Sequence, residues 1–502
     1  MRRARALRLL AGVSLLLVDA CTVGPNYHVP VRALVRSPAA TGAFVGSSAA
    51  SVSVSPLPRS WWRLYDSREL DALVQDAVAE NTDLRMADAN LARSQALLRE
   101  ARTLREPSVA LGAGVEYAQL AGEQYLLPIS PPRNTYYDGG VTIGYDLDFF
   151  GEIRRGIEAA RADSEAVAAA RDLVMVNVAA ETARAYAETC GAGLQLIAAR
   201  RSLALQKESL ELTRKLREHG RATSFDVARS HELVDELTAA LPALEALKRN
   251  ALFRLATLTG RPPSDFDRSL EGCDTPPRLT EPLPIGNGAM LLRRRPDVRE
   301  AERQLAAATA EIGVATAQLY PDITLGISAG SLGAHSDVLT APTNFWGIGP
   351  VLTWQANRSA ARARIAAAGA GATLALAHFD GTVLEALVEV ESALNTYEHD
   401  LEREASLKAA RDEAATAVED VDTLELGGRA TLLALIDAQR TRASTVQTLA
   451  QMESVISEDQ IAVFLALGGG WEKPPDHIEI DTHRESLATS SRYRHYPSRP
   501  RP

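Results

Sequence analysis

His231 and Glu232 begin a pattern that needs a second histidine at position 235 to hold zinc, with the glutamate as general base. Asp235 stands there instead. No phosphate-binding glycine loop is present, and no nucleophile lies at motif spacing from a base and an orienting acid. The chain is therefore expected not to be an enzyme and to require no metal or cofactor. The chemistry that remains belongs to thiols and carboxylates. Cys21 closes an N-terminal apolar run, whereas Cys190 and Cys273 either form a disulfide or supply two small buried side chains. Glu116, Asp146 and Asp148 interrupt otherwise apolar segments at alternate positions, and Asp420, Asp422 and Glu425 gather just before Gly428.

The elements that carry the first set of carboxylates read as strands. Val141, Ile143, Tyr145, Leu147 and Phe149 alternate with Thr142, Gly144, Asp146 and Asp148, the period of a sheet with one apolar and one polar face. Val109 to Tyr117, Ile323 to Ala329 and Trp346 to Trp354 behave similarly, with aromatic residues near the ends of the apolar faces. Each segment is roughly nine to eleven residues, enough to cross a bilayer as a tilted strand. A sheet in lipid must close on itself, because an unpaired edge has no water to bond. Four strands cannot close alone, since spanning barrels start at about eight, so a membrane reading requires several chains to pool their strands.

The carboxylates before Gly428 belong to helical sequence. Stretches rich in Ala, Leu, Arg and Glu predict helices at about 69–80, 82–105, 152–218, 223–259, 296–319, 358–426 and 430–467. The two longest would extend about 100 Å at 1.5 Å per residue. Leu237, Leu241, Leu244, Ala251, Leu255 and Leu258 form a seam for lateral packing of long helices. The order of elements occurs twice. Asp83-Leu84-Arg85, Pro107 and Leu111-Gly112 overlay Asp297-Val298-Arg299, Pro321 and Leu325-Gly326 at one constant offset, and Gly220-Arg221-Ala222-Thr223 recurs as Gly428-Arg429-Ala430-Thr431. Such an internal duplication predicts one architecture built from two pseudo-equivalent halves. At each tetrapeptide a glycine able to take positive φ would end one helix and a threonine would cap the next.

At the N-terminus, Arg2, Arg3, Arg5 and Arg8 precede an apolar run from Leu9 to Val18, then Asp19-Ala20-Cys21. A small residue directly before a cysteine resembles the lipobox of bacterial lipoproteins, in which cleavage exposes a cysteine for acylation. An ordinary secretory signal with a chance cysteine is the alternative. The expected organisation is a signal peptide at 1–20, a lipid-anchored extended leader at 21–60, a first repeat at 61–270, a linker at 271–288, a second repeat at 289–471 and a disordered tail at 472–502. Net charge is -10, and no basic face with interleaved aromatics occurs, so nucleic acid is not expected as a partner.

Trp61-Trp62-Arg63-Leu64-Tyr65, Tyr145-Asp146-Leu147-Asp148-Phe149-Phe150-Gly151-Glu152-Ile153-Arg154-Arg155, Arg294-Arg295-Pro296-Asp297-Val298-Arg299 through Leu319-Tyr320-Pro321, and Leu435-Ile436-Asp437-Ala438-Gln439-Arg440 are similar to motifs of the TolC-like outer-membrane factors of tripartite efflux systems. The closest likeness is to the lipoprotein branch associated with resistance-nodulation-division pumps. The resemblance implies a mixed α/β membrane protein, a homotrimer whose chains each give four strands to a twelve-stranded outer-membrane β-barrel, continuous with a twelve-helix periplasmic α-barrel. It further implies a lipid-anchored passive exit duct for small molecules, joined through a periplasmic adaptor protein to an inner-membrane transporter. Gly220, Arg221, Ala222 and Thr223, with Gly428, Arg429, Ala430 and Thr431, would then be helix tips that meet the adaptor. Asp420, Asp422 and Glu425 would line a periplasmic constriction or else a solvated helix face. Glu116, Asp146 and Asp148 would point into the lumen and favour cations, or serve only to keep it wet. A duct of the same fold for type I protein secretion is the alternative function.

Overall fold

The computed structural model describes residues 22–119, 121, 128–130 and 132–470. The expected signal peptide, the expected acylation site Cys21 and the expected tail at 472–502 lie outside the described residues. Helices α1 (Arg68–Glu80) and α2 (Thr82–Thr103) lead into strands β1 (Ser108–Ala118) and β2 (Asn134–Asp146), followed by α3 (Glu152–Glu218) and α4 (Ser224–Leu258). A linker then reaches α5 (Pro296–Ala317), strands β3 (Asp322–Ala334) and β4 (Asn344–Thr353), and helices α6 (Arg358–Leu426) and α7 (Leu432–Ala466). The four strands form one antiparallel sheet in sequence order, with β1 and β4 at its edges.

Helix ends follow from local chemistry. Asn81 accepts from the amides of Asp83 and Leu84 to start α2, Pro296 opens α5 where no amide is needed, and glycines with positive φ stand just after α3 and α6. α3 has 67 residues and α6 has 69, about 100 Å each. The other two rods are jointed. Asn81 Nδ2 donates to the Leu258 carbonyl at 3.0 Å, so α2 continues where α4 stops. Arg295 Nη1 donates to the Ala466 carbonyl at 2.8 Å, and α5 likewise continues α7. Side by side, α2, α3, α5 and α6 therefore stand below the sheet in the order of the strands they feed, and α4, α3, α7 and α6 form the far half.

Near the joints lies the largest apolar core. Trp61 is fully buried, its ring centroid 4.8 Å from that of Phe464, and Leu70, Ala183, Ile456 and Leu283 close around it. Each large side chain so buried contributes on the order of 2 kcal/mol. Alanine dominates the middle of α3, where Ala179, Ala183, Ala185 and Ala187 have no exposure and let neighbouring backbones approach.

Residues 22–60 run from the foot of the sheet down α5 and α6 to this core. Arg155, 3% exposed, holds the start: its guanidinium donates to the carbonyls of Val23 and Gly24 and to Asn26 Oδ1. Tyr27 then bonds Glu302 at 2.6 Å, the Leu34 amide bonds Asp380 at 2.8 Å, and Val52–Ser53 pair in parallel with Leu283–Pro284. That pairing and the short helices of this segment were not anticipated, because a run of Ser, Ala and Val without periodicity carries no local signal for them. Between Cys190 in α3 and Cys273 in the linker the structure has a disulfide, with Cα atoms 4.7 Å apart, which decides the alternative left open above.

Candidate functional site

The register of the sheet sorts its side chains. Val109 pairs with Ile143, Ile143 with Ile327 and Ile327 with Ile348; Leu111 pairs with Val141, Val141 with Ala329 and Ala329 with Trp346. One face therefore gathers Val109, Leu111, Val115, Tyr117, Ile143, Tyr145, Leu325, Ile327, Trp346, Ile348 and Leu352, all of them exposed or partly exposed. Leu111 is 83% and Trp346 80% accessible to solvent, which in water would make a large unpartnered apolar patch. The other face is built largely of Gly, Ala, Ser and Thr, with Leu332, Phe345 and Val351 as its large apolar members.

That second face carries carboxylates. Glu116 is opposite Tyr136, and Asp146 accepts from the Thr324 hydroxyl at 2.6 Å. Asp138 and Asp322 lie on the same face; Asp138 was missed, and Asp322, though it alternates with Ile323 and Leu325, was not counted among the candidate carboxylates. The strand was expected to begin near Val141, where the alternation starts, yet the ladder extends back to Asn134. Asp148 was expected on the strand and is not. The ladder ends at Asp146, a tight turn closes between the Phe149 amide and the Leu147 carbonyl, and Asp148 instead accepts from the amides of Ile153 and Arg154. It neutralises the first turn of α3 and pairs with Arg154, a capping role at a helix N-terminus.

At the far end, two reversals join the long helices. After α3, Gly220 has φ 70°, and the Arg221 amide returns to the Leu216 carbonyl at 2.8 Å. Thr223 Oγ1 accepts from the Asp226 amide while Asp226 Oδ2 accepts from the Thr223 amide, a complete capping box. After α6, Gly428 has φ 67°, the Arg429 amide returns to the Leu424 carbonyl at 2.8 Å, and Thr431 Oγ1 accepts from the Ala434 amide. Space is free beside both glycines, so it is the left-handed backbone and not crowding that requires them. Asp420 and Asp422 are exposed and Glu425 half-buried on the last turns of α6, with no ion pair to any of them among the described residues. Asp422 borders a groove of about 700 Å³ between α3, α6 and α7 that also exposes Arg201, Gln439 and Arg442.

The linker ties both hairpins together at the level of the core. Arg278 makes a two-pronged ion pair with Glu404 of α6, whose carboxylate is only 5% exposed and also meets Lys408 at 3.0 Å. Hydrogen bonding from Arg278 holds Glu404 below the usual carboxylate range. Gln460 of α7 exchanges two hydrogen bonds with the backbone of Leu279. Beside it, burial and then the facing Asp400 carboxyl push Asp459 up to about 7. His231 and Asp235 form an exposed pair at 3.0 Å on α4, and no metal-holding cluster occurs among the described residues. No described helix is long and apolar enough to cross a membrane.

A family model described as outer membrane efflux protein matches residues 73–261 and 288–469. Nodulation protein T of Rhizobium leguminosarum bv. viciae is 29% identical over 478 residues, spanning 93% of this chain and 94% of that protein. Outer membrane protein OprJ of Pseudomonas aeruginosa is 28% identical over 92% of this chain and 96% of its own length. Among solved structures, the outer-membrane channel OprN superposes with a TM-score of 0.83 at 34% identity, covering 90% of this chain and all of that one.

Proposed function

The chain belongs to the outer membrane efflux protein family, and from that premise we propose that it works as a ring of three copies. It is an outer-membrane channel of an efflux pump, the exit duct through which exported small molecules leave. The single observation that carries the assembly is the pairing of two facts in one sheet. Most of its large apolar residues are gathered on one exposed face, and both of its edges are unpaired among the described residues. Three copies would pool four strands each into a closed twelve-stranded barrel, satisfying every edge and turning the apolar face to lipid. The two matching series of elements, residues 61–270 and 289–471 joined by 271–288, are then repeats that each supply two strands and two rods.

In that assembly Glu116, Asp138, Asp146 and Asp322 stand on the wall facing the lumen, an acidic aqueous lining that disfavours anions. Transport is diffusion down the rods and through the barrel, with energy supplied by an inner-membrane transporter of the resistance-nodulation-division type. The residues Gly220 to Thr223 and Gly428 to Thr431 are the contact points for a periplasmic adaptor, and Asp420, Asp422 and Glu425 narrow the periplasmic mouth. Cys21 is the acylated anchor. The seating of Thr22 against Gly151, at the foot of the sheet, supports an anchor entering the same membrane leaflet.

Planar-bilayer conductance of the purified acylated protein, together with its mass in detergent, tests the assembly. Trimers with small, rarely open steps are expected. A monomer that never conducts would remove the pooled barrel.

A further inference from the structure

The two turns that lead from sheet to helix are unequal in charge. Before α3, Asp148 caps the helix and pairs with Arg154. Before α6, the corresponding cap is Asn357, which accepts from the Ser359 amide and carries no charge. Arg358 and Arg362 follow on one face of α6, four residues apart, both exposed and without an ion pair among the described residues. Trp354 directly follows β4 and continues in sequence the series Trp346, Ile348 and Leu352 of the apolar face. Its indole nitrogen donates to the Leu319 carbonyl at 3.2 Å, at the foot of the sheet, and the Arg358 guanidinium lies 5.7 Å from its ring. An aromatic ring at the foot of an apolar sheet with arginine directly below it is the arrangement expected where acyl chains give way to headgroups.

The opposite edge of the protomer is α2, whose end exposes Arg102 and Arg105, also without an ion pair among the described residues. When copies close into a ring, this edge meets the α6 edge of the next copy. Arg99, Arg102, Arg105, Arg358 and Arg362 then stand near the seam against Glu100 and Glu106, an excess of positive charge that attracts an external anion. Guanidinium groups bind phosphate through paired hydrogen bonds.

We propose that Trp354, Arg358 and Arg362 of one copy, with the Arg102 and Arg105 edge of the next, dock the phosphate of an anionic phospholipid headgroup in the periplasmic leaflet. The inference rests on the ring of copies proposed above. Selectivity comes from net charge: a zwitterionic headgroup brings its own cation to a seam that already has an excess of them, whereas phosphatidylglycerol neutralises it.

The test uses full-length acylated protein reconstituted in vesicles of equimolar phosphatidylglycerol and phosphatidylethanolamine, floated, extracted in mild detergent and weighed with its retained lipid by native mass spectrometry. Wild type should retain phosphatidylglycerol preferentially, and the preference should fall roughly 5-fold for each arginine removed in Arg358→Gln and in Arg358→Gln/Arg362→Gln. Arg221→Gln/Arg429→Gln, which removes as many arginines at the far end, should leave it unchanged, and added salt should erode it in wild type. Equal retention of both lipids by wild type, or an undiminished preference in the double variant, overturns the docking site while the ring stands. Failure of wild type to float with vesicles overturns both. Loss of trimer mass in the double variant equally in pure phosphatidylcholine would assign these arginines to protein contacts instead and also overturn the site.

Discussion

The two helical hairpins, α3 with α4 and α6 with α7, have nearly the same length and reverse through the same four residues, yet they are secured by different chemistry. The first ends in a helix whose last turn holds Lys215 and Arg217, cations that favour the negative end of the helix dipole, and its return helix begins with a full capping box. The second ends in an acidic stretch with no basic residue in the last turn, and its return helix has Thr431 alone. At the core, a disulfide fastens α3 to the linker, while α6 and α7 are held to it by Arg278, Glu404 and Gln460. Equivalent tip sequences are thus fastened to the core by unequal means. The first hairpin is fixed covalently and by favourable end charges; the second is fixed by polar contacts that can be exchanged or titrated.

Removing the covalent tie is the strongest way to break this contrast. Cys190→Ser/Cys273→Ser should destabilise the first hairpin by about 2–4 kcal/mol, because the bond closes a long loop in the unfolded chain. Hydrogen exchange at 265–283 and in the middle of α3 should rise toward the values of the second hairpin; unchanged exchange would deny the disulfide its role. Next in size is Arg278→Met, which leaves the Glu404 carboxylate buried with Lys408 as its remaining partner. A loss of about 2–3 kcal/mol is expected, confined to α6, α7 and the linker. The tips should differ more modestly. Thr223→Ala removes both bonds of the threonine hydroxyl to Asp226 and should cost about 1–2 kcal/mol, whereas Thr431→Ala, losing one bond, should cost about 0.5–1 kcal/mol. Equal local exchange at the two tips after these substitutions would show that the capping difference is without consequence.

A further effect depends on pH. The Asp459 carboxyl titrates at about 7 in the folded protein and near the ordinary aspartate value when unfolded, so the folded state holds its proton longer. Its burial therefore costs nothing below about pH 4, costs progressively more as pH rises to about 7, and costs a constant amount above. Asp459→Asn should raise the melting temperature at pH 8 by a few degrees and leave it unchanged at pH 4. A gain that is the same at both values would assign the effect to packing and not to charge.

Most helix ends were legible because they rest on local signals: glycine before Arg-Ala-Thr, threonine caps and Pro296. The first and third strands were legible from strict alternation. The second strand was read too late in the chain, since Tyr136-Tyr137-Asp138-Gly139-Gly140 lacks an apolar period, and the ladder there is imposed by β1 and β3 on either side. Asp148 continues the alternation in sequence and leaves the sheet only because the start of α3 needs its carboxylate. The path of the leader was not legible, nor whether Cys190 and Cys273 bond, because both depend on contacts between residues far apart in the chain. The acids of the polar sheet face were partly visible: Glu116, Asp146 and Asp322 follow from alternation, while Asp138 needed the register.

The joints at Asn81 and Arg295 have a mechanical consequence. Within each pair of rods, one is an unbroken shaft from the sheet to the tip and the other is two shafts meeting end to end through side-chain bonds to Leu258 and Ala466. Torque applied at a tip travels to the sheet along α3 and α6 but is interrupted in the neighbouring rod, where no peptide bond crosses the joint. The tip-side half can therefore wind or unwind about its own axis while the sheet above it keeps its register, as a coupling isolates a driven shaft from its housing.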